Sequence, residues 1–251
     1  MPNTDPQPLA GHTVLITGGA RRLGAAMAQA LHAVGADVVI HHHTSTDEAA
    51  ALVAALNALR DASAIAVQAD LLDTVRLPQL IDATLARFGR LDILINNAST
   101  FYATPVGEIT AAQFDDLIGT NFRAPLFLAQ AAAAELRRRR GLILNMVDIH
   151  GMKPLKRYPA YSSAKAALIM LTRSLARELA PQVRVNGIAP GPVMVPADMD
   201  EALKAEIIGK TLLKRAGEPE DIGKAALYFA TLAPYVTGQI LAVDGGRSQG
   251  S

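Results

Sequence analysis

From about residue 12 onward the sequence alternates between two kinds of segment, and this alternation restricts the fold more than any other feature. Short apolar runs rich in β-branched residues stand at 13–17, 37–40, 64–67, 91–95, 142–147, 183–188 and 240–243. Between them lie longer stretches of helical pattern, richest in Ala and Leu, at about 22–34, 47–60, 74–88, 111–139, 159–180 and 219–231. Strands that alternate with helices build right-handed βαβ units, hence a parallel sheet covered on both faces. The runs are continuously apolar, as burial on both faces requires. The expected class is α/β: a single Rossmann-type, doubly wound domain over 12–251, with residues 1–11 as a flexible leader. No break in composition marks a second domain. The one irregular stretch, about 190–213 after the sixth strand, reads as a loop with short helices at the edge where such sheets bind ligands, and is the expected substrate loop.

Composition narrows the function classes. Half of the 251 residues are hydrophobic and 19% are charged, enough to bury a core without metal or disulfide. The absence of cysteine excludes a disulfide framework, a thiol nucleophile and thiolate metal sites. A net charge of +1 offers no basic field for nucleic acid or anionic lipid. The basic run at 137–140 closes the longest helical stretch just before Gly141, where cations complement the helix dipole and glycine ends the helix. The N-terminus does not read as a secretory signal, and no uncharged apolar stretch approaches the roughly 20 residues of a membrane span. The expectation is a soluble cytoplasmic protein with neither nucleic-acid nor membrane partners.

The first strand leads straight into Gly18-Gly19-Ala20-Arg21-Arg22-Leu23-Gly24 and then an Ala-rich helix. Glycine permits a tight turn and close backbone approach, and the helix N-terminus offers unpaired N–H groups to a pyrophosphate, so this turn is the expected dinucleotide site. NAD readers usually carry an acid about 20 residues further on; here His41-His42-His43-Thr44-Ser45 stand there, with no acid until Asp47. Hydroxyls and imidazoles can hydrogen-bond a 2′-phosphate that a carboxylate would repel, and Arg21 can supply a cation, so NADPH is the expected cofactor. Adjacent histidines on a strand point to opposite faces, which argues against a metal. Asp70-Leu71, after the third strand, would lie near the adenine, or Asp70 would cap a helix; both readings stay open.

The chemical residues gather at the same carboxyl edge. Asn96-Asn97-Ala98-Ser99 follows the fourth strand and Asp148 the fifth, while Tyr161 and Lys165 share one helix face. Hydride addition to C=O or C=N leaves a heteroatom that must take a proton. Tyr161, ordinarily titrating near pH 10, can give one, and a nearby Lys165 cation would lower its pKa toward the working range.

In these motifs the chain resembles the short-chain dehydrogenase/reductase family: Thr17-Gly18 with Gly24, Asn96-Asn97-Ala98, Tyr161 with Lys165, Asn186-Gly187-Ile188-Ala189-Pro190-Gly191, and Val243-Asp244-Gly245-Gly246. The resemblance implies a seven-stranded parallel sheet, a homotetramer, Asn121 as structural and relay partner of the lysine, and cofactor contacts from Pro190 and Gly191. Three departures sharpen it. Arg22 and Ser99 stand where most members have Gly, and Asp148 where most have Ser. With His41, His43, Ser45 and Ser99-Thr100-Phe101-Tyr102, these resemble the pteridine reductases. That resemblance implies Phe101 stacked on a flat pterin and Arg22 touching substrate and cofactor phosphate. It also implies His43, Thr44 and Ser45 on the 2′-phosphate, Asp148, Tyr161 and Lys165 as the catalytic set, and Val193 in the substrate loop. Thr44 replaces a basic residue of some relatives. The expected activity is NADPH-dependent reduction of a dihydropterin, with dihydrofolate or oxidised pterins as further substrates. A carboxyl beside Tyr161 suits protonation of a ring nitrogen, whereas it would repel a developing alkoxide. The alternatives are a carbonyl reductase for an acyl, sugar or steroid ketone, which lacks its hydroxyl donor at position 148, and a non-catalytic NADP-binding sensor.

Overall fold

The computed structural model describes residues 7–193 and 199–250. Seven strands, β1 (Thr13–Ile16), β2 (Asp37–His42), β3 (Ala64–Gln68), β4 (Ile93–Asn96), β5 (Leu142–Met146), β6 (Arg184–Pro190) and β7 (Ile240–Val243), form one sheet. Their order is β3-β2-β1-β4-β5-β6-β7 and every pairing is parallel. The chain winds outward in one direction from β1 and in the other from β4. The carboxyl ends of these two neighbours therefore flank the crevice where such sheets take ligands.

Among the described residues there are eight α-helices: α1 (Arg22–Ala33), α2 (Thr46–Leu59), α3 (Pro78–Phe88), α4 (Ala111–Ile118), α5 (Ala124–Arg139), α6 (Pro159–Glu178), α7 (Glu201–Gly209) and α8 (Pro219–Leu227). Strand side chains alternate between two cores. Val14, Ile16, Ile93 and Ile95 pack with Met27 and Leu31 of α1 and Ile222 of α8. Leu15, Leu94 and Ile143 pack with Leu80 of α3 and Leu128 of α5. The central strands β1, β4 and β5 are thus buried on both faces, which is why they carry apolar runs, while the edge strands β3 and β7 are only partly buried. No helix of the described residues is long and apolar enough to cross a membrane.

Several expected boundaries shift for identifiable reasons. Residues 1–6 lie outside the described residues, but the rest of the expected leader is packed: Leu9 is buried in the core and its N–H donates to the Val34 carbonyl at 3.0 Å. The expected helix at 74–88 begins at Pro78, a residue suited to a first turn because it brings no N–H. The long helix at 111–139 is α4 and α5 joined through a π-helical turn at Gly119–Arg123. Arg140, with φ of 54°, takes the left-handed terminal position of α5 expected of Gly141. Gly141 instead lies hard against the Asp92 carbonyl. Arg138 and Arg139 pair with the buried Glu135. In the expected loop at 190–213, α7 is capped by the Asp200 carboxylate, which accepts from the Leu203 N–H at 3.0 Å.

Candidate functional site

The turn after β1 is held from three sides. Gly18 has φ of 58°, and a Cβ there would stand 3.0 Å from the Ala98 Cα, so conformation and crowding both demand glycine. A Cβ on Gly24 would run into the Gly18 carbonyl. From β4, the Asn97 amide donates to the Thr17 and Gly18 carbonyls at 2.8 and 2.9 Å, while Thr17 Oγ1 accepts from the Asn97 and Ala98 N–H groups. Asn97 and Ala98, part of the Asn96–Ser99 run that follows the fourth strand, thus lock the ends of β1 and β4 together.

The third side is His41, buried at the end of β2. Its Nδ1 accepts from the Gly18 N–H at 3.1 Å, its Nε2 meets the Ala69 carbonyl at 3.1 Å, and its own carbonyl accepts from the Gly19 N–H. These partners require a neutral ring with the proton on Nε2. Burial, the largest cause, pulls the imidazole pKa down to about 4, against the opposing pull of the Ala69 hydrogen bond. His41 is therefore committed to the turn. His43, Thr44 and Ser45 reach the cleft surface, and Ser45, although at the N-cap of α2, makes no side-chain cap bond.

A cleft of about 570 Å³ gathers Gly18, Arg21, Arg22, Leu23, Gly24, His43, Thr44, Ser45, Asp70, Leu71, Asn97, Ala98 and Ser99 in one wall. α1 opens with neither a side-chain cap nor an acid in its first turn, leaving its N-terminal N–H groups for an anion. Arg22 holds φ of 53° at this point, a left-handed conformation that costs a non-glycine residue roughly 1–2 kcal/mol. Arg21 pairs with Glu48 at 3.1 Å, both exposed, so the expected phosphate cation is engaged with the first turn of α2. Asp70 does not cap a helix, since α3 begins only at Pro78; it accepts from the Leu72 N–H at 2.9 Å and lines the cleft.

Beside this cleft the Tyr161 hydroxyl donates to Asp148 Oδ2 at 2.7 Å, and Asp148 Oδ1 accepts from the His150 N–H at 2.7 Å. Asp148 is thus fixed as the cap of a short 3₁₀ turn with its other oxygen on the phenol. The expectation that Lys165 brings the phenol toward the working range is overturned. Burial first, then the Asp148 charge and hydrogen bond, drive the Tyr161 pKa up, with Ser99 pulling weakly the other way. A phenol that donates to a carboxylate is stabilised in its protonated form. The Lys165 ammonium lies 5.7 Å from the Tyr161 ring centroid and donates to the Met146 carbonyl at 2.8 Å. Full burial lowers its pKa to about 8, offset in part by Asp148. Asn121 sits in the π-helical turn, where its Oδ1 accepts from Ser99 Oγ at 2.6 Å and its Nδ2 donates to the Thr100 and Leu117 carbonyls. Its bonds therefore run to Ser99 rather than to the lysine.

Phe101, just over half exposed, stacks on Tyr158 with centroids 4.6 Å apart and planes 11° apart, and meets Tyr161 in a T-shaped contact with centroids 4.8 Å apart. Tyr158 was not singled out in the sequence, although its place three residues before Tyr161 was a usable signal. Pro190 ends β6, and the Gly191 N–H donates to the Val243 carbonyl. Val193 is not brought to the Tyr161 cleft: a bridge to Gly217 holds it in the wall of a second cavity of about 520 Å³ with Leu212, Leu213 and Lys224. Met194 lies outside the described residues.

Comparison with known proteins agrees with this geometry. A family model described as enoyl-(acyl carrier protein) reductase matches residues 18–248. Pteridine reductase 1 of Leishmania tarentolae is 40% identical over 278 residues, covering 93% of this chain and 95% of its own. The 3-oxoacyl-[acyl-carrier-protein] reductase of Synechocystis is 37% identical, covering 95% and 97%. Among solved structures, a blue fluorescent protein from a metagenomic library, in complex with NADPH, superposes with a TM-score of 0.90 at 35% identity, covering 96% of this chain and 99% of that one. With its motifs in order, its seven-stranded sheet and these relatives, the chain belongs to the short-chain dehydrogenase/reductase family of oxidoreductases.

Proposed function

We propose that the protein uses NADPH to reduce a dihydropterin of the dihydrobiopterin type to its tetrahydro form, with dihydrofolate and oxidised pterins as further substrates. The observation that carries this reading is the Tyr161–Asp148 hydrogen bond of 2.7 Å beside the half-exposed ring of Phe101. The residues present fit the cofactor. The Gly24 cradle would be filled by a Cβ, the α1 N-terminus has no side-chain cap, and the Ser45 hydroxyl is left over by its helix. On this reading Gly18, Leu23, Gly24, Asn97 and Ala98 receive the pyrophosphate side. Arg21, His43, Thr44 and Ser45 receive the 2′-phosphate, Asp70 and Leu71 the adenine, and Pro190 and Gly191 the nicotinamide end.

When bound, NADPH supplies the hydride. The protein supplies the proton: Tyr161 is kept protonated by burial and by Asp148, and gives its proton to the ring nitrogen next to the reduced carbon. Asp148 holds the phenol in place and, when it carries a proton, resupplies it. Lys165 holds the cofactor ribose and offsets the Asp148 charge, and Ser99 with Asn121 continues the hydrogen-bonded chain away from the phenol. Phe101 stacks one face of the pterin, and Arg22 reaches both substrate and phosphate. A ketone reductase of the same family would develop an alkoxide here, which the Asp148 carboxylate disfavours. A cytoplasmic homotetramer is part of the proposal. The tetramer is supported by the exposed apolar surface of Tyr228, Leu232, Tyr235 and, in the edge strand β7, Leu241, and sedimentation analysis tests it.

The test follows NADPH absorbance with dihydrobiopterin, dihydrofolate and a panel of ketones. Pterin turnover that falls roughly 10²–10⁴-fold in Asp148→Ser supports the assignment. Full pterin activity in that variant, or turnover of ketones alone, would overturn it.

A further inference from the structure

The rim beside the Phe101–Tyr158 stack carries a charge pattern that the proton and hydride chemistry does not use. Between Asp148 and Glu178 the sequence contains no acid, yet Lys153, Lys156 and Arg157 fall within five residues of one another. Lys153 donates to the Gly250 carbonyl at 2.8 Å. Lys156 and Arg157 are exposed, and neither is in an ion pair among the described residues.

The backbone at Arg157 is tied to the aromatic pair. The Arg157 carbonyl accepts from the Thr104 N–H at 2.7 Å, joining this loop to the one that carries Phe101. The next residue, Tyr158, lays its ring on Phe101. Arg157 itself sits at φ of 71°, where glycine or asparagine would rest without strain. A strained arginine next to an aromatic platform points toward use of its charge. On the facing loop the nearest acid in sequence to Phe101 is Glu108, seven residues on and beyond Pro105 and Gly107.

We infer that Lys156 and Arg157 form a carboxylate-binding subsite at the mouth of the substrate pocket, taking the anionic arm of a pteridine that carries one. Resting on the pterin reading above, this gives folates with a glutamyl arm a contact that an unconjugated pterin cannot make. A ring held on Phe101 would send its arm across the Tyr158 rim, where two unpaired cations meet its carboxylates. Lengthening the arm with further glutamates adds charge at the same place.

Steady-state kinetics with dihydrofolate, its triglutamate and dihydrobiopterin test this in wild type and in Lys156→Gln/Arg157→Asn. Asparagine is chosen because it tolerates the positive φ. In the double variant KM for dihydrofolate should rise roughly five- to tenfold and further for the triglutamate, with kcat and the dihydrobiopterin KM within about twofold of wild type. Added salt should raise the wild-type KM for the two folates alone. Equal losses on all three substrates, or no change on any, would overturn the subsite and leave pterin reduction standing. If no pterin is turned over, and a 3-oxoacyl carrier-protein substrate is turned over and weakened by the double variant, the subsite and the pterin reading fall together.

Discussion

Lowering the pH should loosen this protein through one buried imidazole. His41 holds the Gly18 N–H only while neutral, and its pKa in the fold is about 4 against an ordinary 6.5. Well above pH 6.5 the ring is neutral in both folded and unfolded chains, and its contribution is fully present. As the pH falls from 6.5 toward 4 the unfolded chain binds the proton first, so stability is lost across that window and not below it. The gap corresponds to about 3 kcal/mol in all and about 2 kcal/mol at pH 5. His41→Asn keeps an acceptor near the Nδ1 position but gives up the bond to Ala69, a pH-independent loss of about 1 kcal/mol. Urea unfolding of both proteins should therefore show wild type ahead by about 1 kcal/mol at pH 8 and the variant ahead by about 1 kcal/mol at pH 5. Titration of every other group, the buried His32 included, is shared by the two and cancels to first order. A stability difference that stays constant between the two pH values would refute the pinning role.

Other consequences are open to direct measurement. Arg22→Gly removes the left-handed strain at φ of 53° and should raise stability by about 1 kcal/mol while weakening NADPH and pterin binding; tighter binding would contradict the proposed role of Arg22. Gly24→Ala places a methyl against the Gly18 carbonyl and should abolish cofactor binding in a calorimetric titration, with the far-ultraviolet circular dichroism retained. Glu48→Gln frees Arg21 and should tighten NADPH binding roughly two- to fivefold with a steeper salt dependence; unchanged affinity would place Arg21 away from the 2′-phosphate. Cofactor affinity should decline as pH rises through about 8, where Lys165 gives up its proton, and Lys165→Arg should move that decline upward.

The strands were readable because burial on both faces leaves a signal that survives without tertiary knowledge, and Gly18, Gly24, Tyr161 and Lys165 because their spacing carries their geometry. What escaped depends on pairs distant in sequence. Nothing near residue 41 indicates that its imidazole meets Gly18 and Ala69, so its part in holding the turn could not be told from that of its neighbour His43, the histidine expected on the 2′-phosphate. The Arg21–Glu48 pair, 27 residues apart, was equally hidden. The π-helical turn at Gly119–Arg123 leaves the Ala-rich periodicity almost untouched, although its widened turn is what carries Asn121. The direction of the Tyr161 shift was misread because a neighbouring cation was weighed without the burial and the carboxylate that outweigh it.

A pterin stacked on Phe101, as proposed, would meet the ring face that Tyr158 does not cover. On the proposed reaction, that face distinguishes what arrives from what leaves. A dihydropterin ring is close to flat, whereas its tetrahydro form puckers where new tetrahedral centres appear and makes a poorer match to an aromatic plane. The contact that captures the guest thus slackens as the chemistry finishes, and turnover is favoured by the shape of the leaving molecule without a moving part in the protein.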